Sequence, residues 1–171
     1  MKHIISALVE NRPGVLANVA GMFAARAFNI DSLVVGRTED PELSRMTIVV
    51  VGDDKVLEQV RKQLAKLIPV VKVQDFAGQS VVARDLMLIT IAAPAEKRAE
   101  IVSLIETFKG KVVDIGQKFI MVEISGPEEK IEAFIEMCRP YGIKNVARTG
   151  TIAMPRQEKS AAAAQENASS D

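Results

Sequence analysis

Apolar and polar positions in the first half of the chain alternate between a strand period and a helix period. Residues 4–9 form a run of β-type residues that ends at the turn sequence Asn11-Arg12-Pro13-Gly14. After this turn, apolar residues recur at helical spacing on one stripe, at Val15, Leu16, Val19, Met22 and Phe23. The same pattern predicts the other elements of this half: strands at 30–37, 46–51 and 70–76, and a helix that begins at Asp53-Asp54 and is stopped by Pro69.

The second half of the chain repeats this order. Strands are predicted at 86–91, 112–115, 119–124 and 143–148, with helices after Pro94 and from Glu128-Glu129. Each half therefore has the order βαββαβ, which is the split βαβ arrangement of ferredoxin-like domains. We predict an α+β protein with two ferredoxin-like domains in tandem.

Composition along the chain predicts where these domains begin and end. The sequence Gly78-Gln79-Ser80 lowers the density of apolar residues, so we assign 1–77 to the first domain, 78–84 to a linker and 85–156 to the second domain. Residues 157–171 are rich in Ala, Ser, Gln and Glu and contain no bulky apolar residue, which predicts a disordered tail.

The overall composition narrows the class of protein. Hydrophobic residues make up 48% of the 171 residues, which is typical of a globular protein. Lys and Arg together number 22, as do Asp and Glu, so the chain lacks the basic excess with which a nucleic-acid binder neutralises phosphates. No uncharged apolar run approaches the ~20 residues that cross a bilayer, and no secretory signal is recognisable. We expect a cytoplasmic protein that binds neither nucleic acid nor membrane.

Side chains suited to catalysis are few. His3 is the only histidine and Cys138 the only cysteine, so a zinc cluster of Cys and His ligands cannot be assembled within the chain. His3 is interpreted as a residue at the end of a strand, and Cys138 as a buried thiol on the apolar stripe of the last helix. The acidic pairs at 53–54 and 128–129 each lie in the first turn of a predicted helix, where the helix dipole favours negative charge. We predict no catalytic residue and no metal site.

The turn between the first strand and the first helix has the chemistry of an anion site. The free backbone amides of a first helical turn and the positive end of the helix dipole attract a carboxylate. Gly14 allows close approach because it has no Cβ, and the side chain of Asn11 offers both a donor and acceptors to an α-amino acid. Val15 and Leu16 could bound an aliphatic side chain. The alternative interpretation is an ordinary capped turn.

The second predicted strand adds a reason to favour the ligand interpretation. In the ferredoxin-like order it lies at the edge of the sheet, yet residues 29–36 lack the Lys or Pro that usually protects an exposed edge. We expect this edge to pair with its copy in a second chain across a two-fold axis. The turn of one chain would then lie near Asn29 of the other, with a polar cleft between them.

Three sequence blocks resemble the ACT domain of the acetolactate (acetohydroxyacid) synthase small subunit. They occur in order and read Glu10-Asn11-Arg12-Pro13-Gly14-Val15-Leu16, Phe28-Asn29-Ile30-Asp31-Ser32-Leu33 and Ser44-Arg45-Met46-Thr47-Ile48. The stretch Val146-Ala147-Arg148-Thr149-Gly150 is similar to the end of that family's second domain. The resemblance covers about residues 1–156.

This resemblance implies a regulatory subunit, not an enzyme in its own right. The partner would be the large catalytic subunit, which holds thiamine diphosphate, Mg2+ and usually FAD and joins two pyruvates or pyruvate and 2-oxobutyrate. The small subunit raises that activity and confers feedback inhibition by valine, in some members also by leucine or isoleucine. The family's effector site, at the interface of a homodimer, maps onto Asn11, Gly14, Val15 and Leu16 of one chain and Asn29 and Ile30 of its neighbour. Gly36 matches a position linked to effector sensitivity, where a small residue such as alanine is common.

Two other function classes are weighed against this one. The chain could be a free-standing ACT-type amino-acid sensor that acts on a transcriptional regulator, but no basic DNA-reading face or helix-turn-helix is visible in the sequence. An independent enzyme is disfavoured because catalytic groups are missing.

Overall fold

The computed structural model describes residues 1–156, so the tail predicted at 157–171 lies outside the described residues. The first unit has six elements: β1 (Lys2–Glu10), α1 (Val15–Ala24), β2 (Ile30–Arg37), β3 (Leu43–Val51), α2 (Asp54–Leu64) and β4 (Val70–Asp75). Its strands form an antiparallel sheet in the order β2-β3-β1-β4. The expectation that the second strand lies at the sheet edge is therefore confirmed.

The core of the first unit lies between one face of this sheet and the two helices. Alternate residues of β1 point into it, and Ile5, Ala7 and Val9 are at most 1% exposed. The apolar stripes of α1 and α2 cover them, with Val19 and Leu64 fully buried. The intervening residues form the opposite face, which we call the back face: Ser6, Ser32, Val34, Gly36, Arg45, Thr47 and Val49.

The second unit repeats the first and adds one strand. Its elements are β5 (Val81–Ala92), α3 (Arg98–Thr107), β6 (Lys111–Ile115), β7 (Phe119–Gly126), α4 (Glu128–Cys138), β8 (Ile143–Arg148) and β9 (Ile152–Pro155). The sheet order is β6-β7-β5-β8, and β9 pairs with the first part of β5. The predicted fold class of two ferredoxin-like βαββαβ domains in tandem is confirmed.

The core of the second unit is also formed between a sheet and two helices. Met87, Ile89 and Ile91 alternate along β5 and are fully buried, as expected for a central strand. Phe134 of α4 packs edge-to-face on Phe108, with ring centroids 5.2 Å apart. Within residues 1–156 no helix is both long enough and apolar enough to pass through a membrane.

Two features of the second unit correct the sequence analysis. The strand predicted at 86–91 begins at Val81, so the last four residues of the predicted linker 78–84 are part of β5. The strand β9 is not predicted at all. These two segments pair with each other, Val81 with Pro155 and Arg84 with Ile152. A short strand whose partner is remote in sequence has too few residues to show a period, so its hydrogen bonds to that partner are needed to recognise it.

The strand β9 lies against the back face of the first unit. Ile152, Ala153 and Met154 line a cavity of about 360 Å³ together with Val34 and Thr47 of that face. Ala153 is 3% exposed and Thr47 only 2%. The back face of the first sheet is therefore covered by a segment of the second unit.

Candidate functional site

The strand-to-helix turn leaves the start of α1 without a side-chain cap. Gly14 occupies the N-cap position with φ +85° and ψ −14°, a left-handed conformation that favours glycine. No side chain accepts a hydrogen bond there, and the first turn contains no acidic residue. In α2, by contrast, the Asp53 carboxylate accepts a hydrogen bond from the Val56 amide at 2.9 Å. The first amides of α1 are thus available to an anion, whereas one amide in the first turn of α2 already donates to a side chain.

Space at the turn permits close approach to the backbone. A Cβ built on Gly14 would meet no other atom within 4 Å. The carbonyl of Gly14 accepts the first helical hydrogen bond, from the Asn18 amide at 2.9 Å, so the helix is regular from its first residue. A carboxylate placed beside Gly14 would therefore meet backbone donors and no side-chain obstruction.

Asn11 is partly committed to the neighbouring loop. Its backbone amide donates to the Glu42 carbonyl at 2.7 Å, and its side-chain Nδ2 donates to the Pro41 carbonyl at 2.8 Å. These bonds fix the side chain at the end of the β2–β3 hairpin. Its Oδ1 accepts no hydrogen bond from a described residue, which leaves an acceptor for an ammonium group.

The two residues that follow Gly14 have different environments. The Val15 side chain is 4% exposed and belongs to the core of the first unit, whereas Leu16 is 47% exposed. The helical stripe turns the Val15 side chain inward and leaves that of Leu16 at the surface. Only the backbone amide of Val15 faces the turn, and Leu16 remains as the apolar contact.

Within one chain, the structure does not bring the two halves of the predicted site together. Ser44 pairs with both Val9 and Arg37, so the C-terminal end of β2 lies at the same end of the sheet as the Gly14 turn. Ile30 instead pairs with Val50, opposite His3, at the other end. The length of β1 separates the two ends by roughly 25 Å at about 3.3 Å per residue.

Pairing of the free edge of β2 with a second chain would bring the two halves of the predicted site together. Its only strand neighbour among residues 1–156 is β3, so the N–H and C=O groups along its outer side are not paired with a strand of these residues. An antiparallel pairing of β2 with its copy would place residue 30 of one chain near residue 37 of the other. That is the end of the sheet where Asn11 and Gly14 lie. The predicted site is therefore geometrically possible only in a dimer.

Gly36 lies on the back face, turned away from α1. It pairs with Arg45, and a Cβ at this position would meet nothing within 4 Å. It lines the cavity of about 360 Å³ that β9 closes. A larger residue here would point toward the second unit and away from the Gly14 turn.

The two potentially reactive side chains, those of His3 and Cys138, lie in environments typical of structural residues. His3 Nε2 lies 3.1 Å from the Gly52 carbonyl at the end of β1. Cys138 is fully buried, and burial raises the pKa of its thiol to about 12. In the part of the chain that the structure describes, no group of three or more His, Cys, Asp or Glu residues is arranged to hold a metal ion.

A polar cluster in the second unit was not predicted. The Asp85 carboxylate, 1% exposed, accepts two hydrogen bonds from Arg148, from Nε at 2.8 Å and Nη2 at 2.6 Å. Arg148 also contacts Glu132 of α4 at 2.5 Å. Burial lowers the pKa of Arg148, but the hydrogen bonds to Asp85 and Glu132 outweigh it and the pKa is raised. The signal available in the sequence was an acidic residue immediately before an apolar strand run.

Comparisons with known proteins agree on one family. The family model "AHAS small subunit-like ACT domain" matches residues 5–72, and "Small subunit of acetolactate synthase" matches 84–157. A probable acetolactate synthase small subunit of Archaeoglobus fulgidus is 56% identical over 159 residues, covering 93% of this chain and 99% of that protein. The acetolactate synthase small subunit of Bacillus subtilis is 47% identical over 157 residues, 91% of either chain. The crystal structure of the small subunit from Thermotoga maritima matches with a TM-score of 0.85 at 42% identity, covering 92% of this chain and 99% of that one.

Proposed function

Because this chain belongs to the acetolactate synthase small-subunit family, we propose that it is the regulatory subunit of that enzyme. It raises the activity of the catalytic subunit in the cytoplasm and confers feedback inhibition by valine in branched-chain amino acid biosynthesis. The catalytic subunit holds thiamine diphosphate, Mg2+ and FAD. The chain described here contributes effector binding and no bond-making step.

The observation on which the effector site rests is the uncapped start of α1 beside the edge strand. Gly14 in the left-handed conformation opens the first amides of the helix, and no carboxylate in the first turn competes for them. The α-carboxylate of valine binds these amides, and its ammonium group faces Asn11 Oδ1. The exposed Leu16 side chain packs against the branched aliphatic group.

Two chains complete the site. Antiparallel pairing of the β2 edges brings Asn29 and Ile30 of the partner to the Gly14 turn, so each dimer has two equivalent sites. Asn29 is exposed immediately before β2, and Ile30 is half-buried against the core of its own unit. For valine to inhibit, it must bind one state of the assembled enzyme more tightly than the other, typically by ~1–3 kcal/mol.

The test introduces a negative charge at Gly14. In Gly14→Asp a carboxylate lies where the ligand carboxylate binds, and two like charges ~4 Å apart repel by ~1 kcal/mol in water and ~4 kcal/mol near a protein surface. We expect the valine concentration for half-inhibition to rise at least about tenfold, since ~1.4 kcal/mol is a factor of ten. Acetolactate formation by the reconstituted enzyme, with and without valine, measures this.

Gly14→Asn is the matched control. It has nearly the same shape as Gly14→Asp, and both residues tolerate the positive φ of +85°, but it carries no charge. We expect it to retain inhibition, and both variants to retain activation of the catalytic subunit. Full inhibition of Gly14→Asp would contradict the site. A chain that neither binds valine in calorimetry nor co-purifies with a thiamine-dependent synthase would contradict the function.

A further inference from the structure

Residues 149–151, which we call the junction segment, pack directly on the edge strand β2. A Cβ built on Gly150 would lie 2.5 Å from Ser32 Oγ and 3.0 Å from Val34 Cγ2, so a larger residue would displace these side chains of β2. The Thr151 amide donates a hydrogen bond to Ser32 Oγ at 3.1 Å. Backbone of the second unit is therefore in van der Waals and hydrogen-bond contact with the edge strand of the first.

The other side of the junction segment is held by the second unit. The Thr149 hydroxyl donates to Asp85 Oδ1 at 3.2 Å, and the Thr149 amide donates to the Leu86 carbonyl at 2.9 Å. Asp85 in turn holds Arg148, and Arg148 contacts Glu132 on α4. A displacement of residue 150 is thus resisted by a buried ion pair that extends to α4.

A second link joins the same two elements. Lys2 Nζ lies 2.9 Å from an Asp31 carboxylate oxygen on β2 and 2.5 Å from Glu128 Oε1 at the start of α4. The hydrogen bonds to Glu128 and then Asp31 raise the pKa of Lys2. All three side chains are more than a third exposed, so this link is weaker than the Asp85 pair.

These contacts begin close to the proposed effector residues. Ser32 and Asp31 lie on β2 directly after Asn29 and Ile30. We propose that the junction segment transmits the effector state of the β2 edge to β8 and α4 of the second unit. This inference rests on the proposed function, because it concerns how occupancy of that site reaches the rest of the complex. A shift of β2 must either carry residue 150 with it or break the bond between Thr151 and Ser32.

The first test removes that bond without adding bulk. Ser32→Ala deletes the acceptor of the Thr151 amide, and Ser6→Ala is its matched control. Ser6 lies on the same back face, 1% exposed, and its Oγ accepts from Arg45 Nη1 at 3.0 Å, a bond confined to the first unit. In the complex reconstituted from full chains, we expect Ser32→Ala to raise the half-inhibiting valine concentration at least about fivefold. Ser6→Ala should stay within about twofold of the unsubstituted chain.

The second test adds bulk at the junction itself. Gly150→Ala and Gly142→Ala both place alanine at a positive φ, +87° and +93°, but the new Cβ at 142 would lie 3.7 Å from Ala92 Cβ, an ordinary contact. Only Gly150→Ala pushes against β2. We expect it to weaken inhibition and Gly142→Ala to preserve it. The double variant Ser32→Ala with Gly150→Ala removes the closest overlap and should recover part of the folding stability lost in Gly150→Ala.

Hydrogen–deuterium exchange separates this inference from the proposed function. With valine added to the unsubstituted complex, we expect slower exchange at residues 11–16 and also at 128–148. In Ser32→Ala the first change should remain and the second should be lost. If valine protects 11–16 but leaves 128–148 unchanged, or if Ser32→Ala and Gly150→Ala are inhibited normally, the junction segment does not couple the units. If the unsubstituted chain gives no heat with valine and no protection anywhere, the proposed function fails and this inference fails with it.

Discussion

Replacing Asp85 with alanine tests how much the polar cluster of the second unit stabilises the fold. In the structure its carboxylate is 1% exposed and accepts hydrogen bonds from Arg148 and from the Thr149 hydroxyl. The alanine variant removes these acceptors and leaves the Arg148 guanidinium, 29% exposed, with Glu132 as its remaining partner.

The magnitude follows from this geometry. Removing one partner of a buried ion pair costs ~3–5 kcal/mol because the other charge is left uncompensated. Arg148 keeps Glu132 and some access to water, so we expect the lower end, a loss of ~3 kcal/mol in the free energy of unfolding. For a chain of this size that corresponds to a fall in Tm of roughly 6–12 °C.

The assay is urea denaturation at one chain concentration, followed by circular dichroism. Glu132→Ala is the control, because Glu132 is 52% exposed and forms the solvent-facing half of the same cluster. We expect that variant to lose less than ~1 kcal/mol. If Asp85→Ala loses no more than Glu132→Ala, the buried pair does not stabilise the fold and the reasoning is refuted.

Three further predictions concern the helices. Cys138 should react with a thiol reagent at pH 8 only after unfolding, because it is fully buried and its pKa is raised to about 12; rapid labelling of the native chain would contradict this. The thiol of the unfolded chain ionises near its ordinary pKa of 9.0, so above that pH the unfolded state binds fewer protons than the folded state. The Cys138 thiol should therefore lower the free energy of unfolding as the pH rises from about 9 to 12. Urea denaturation of the unsubstituted chain and of Cys138→Ser across this pH range measures the difference. Asp53→Ala should lose ~1 kcal/mol in the same denaturation assay, because it removes the N-cap acceptor of the Val56 amide, whereas Asp54→Ala, which removes no cap, should lose less.

Much of the fold could be predicted because most helices and strands show a period of hydrophobic residues over a short stretch of sequence. The strands at 30–37 and 143–148 have the predicted bounds, since turn residues flank each of them. The helices begin where expected, at Val15 and beside the acidic pairs, because capping and dipole preferences act within one turn. The repeated βαββαβ order then restricts the topology to the observed one.

The candidate site could be predicted only in part. The turn at Gly14 was recognisable from residue chemistry, and its left-handed backbone and uncapped helix agree with that interpretation. The Val15 side chain lies on the helical stripe and packs in the core, so the turn presents its backbone amide and the exposed Leu16 side chain. Asn29 and Ile30 share no region of one chain with Gly14, so only the expected pairing of two β2 edges and the family resemblance indicated that they belong together.

The sequence by itself determined the elements, their order and the polar turn, because each depends on residues close together along the chain. The tertiary structure decided which distant segments meet: β9 with β5, Gly150 with Ser32, and Asp85 with Arg148. Such contacts depend on tertiary packing within and between the units, and hydrophobic periodicity holds no information about the partner of an isolated polar residue or of a four-residue strand. For this reason the polar turn at Gly14 could be predicted from the sequence, whereas the contact between β2 and the second unit could be found only in the structure.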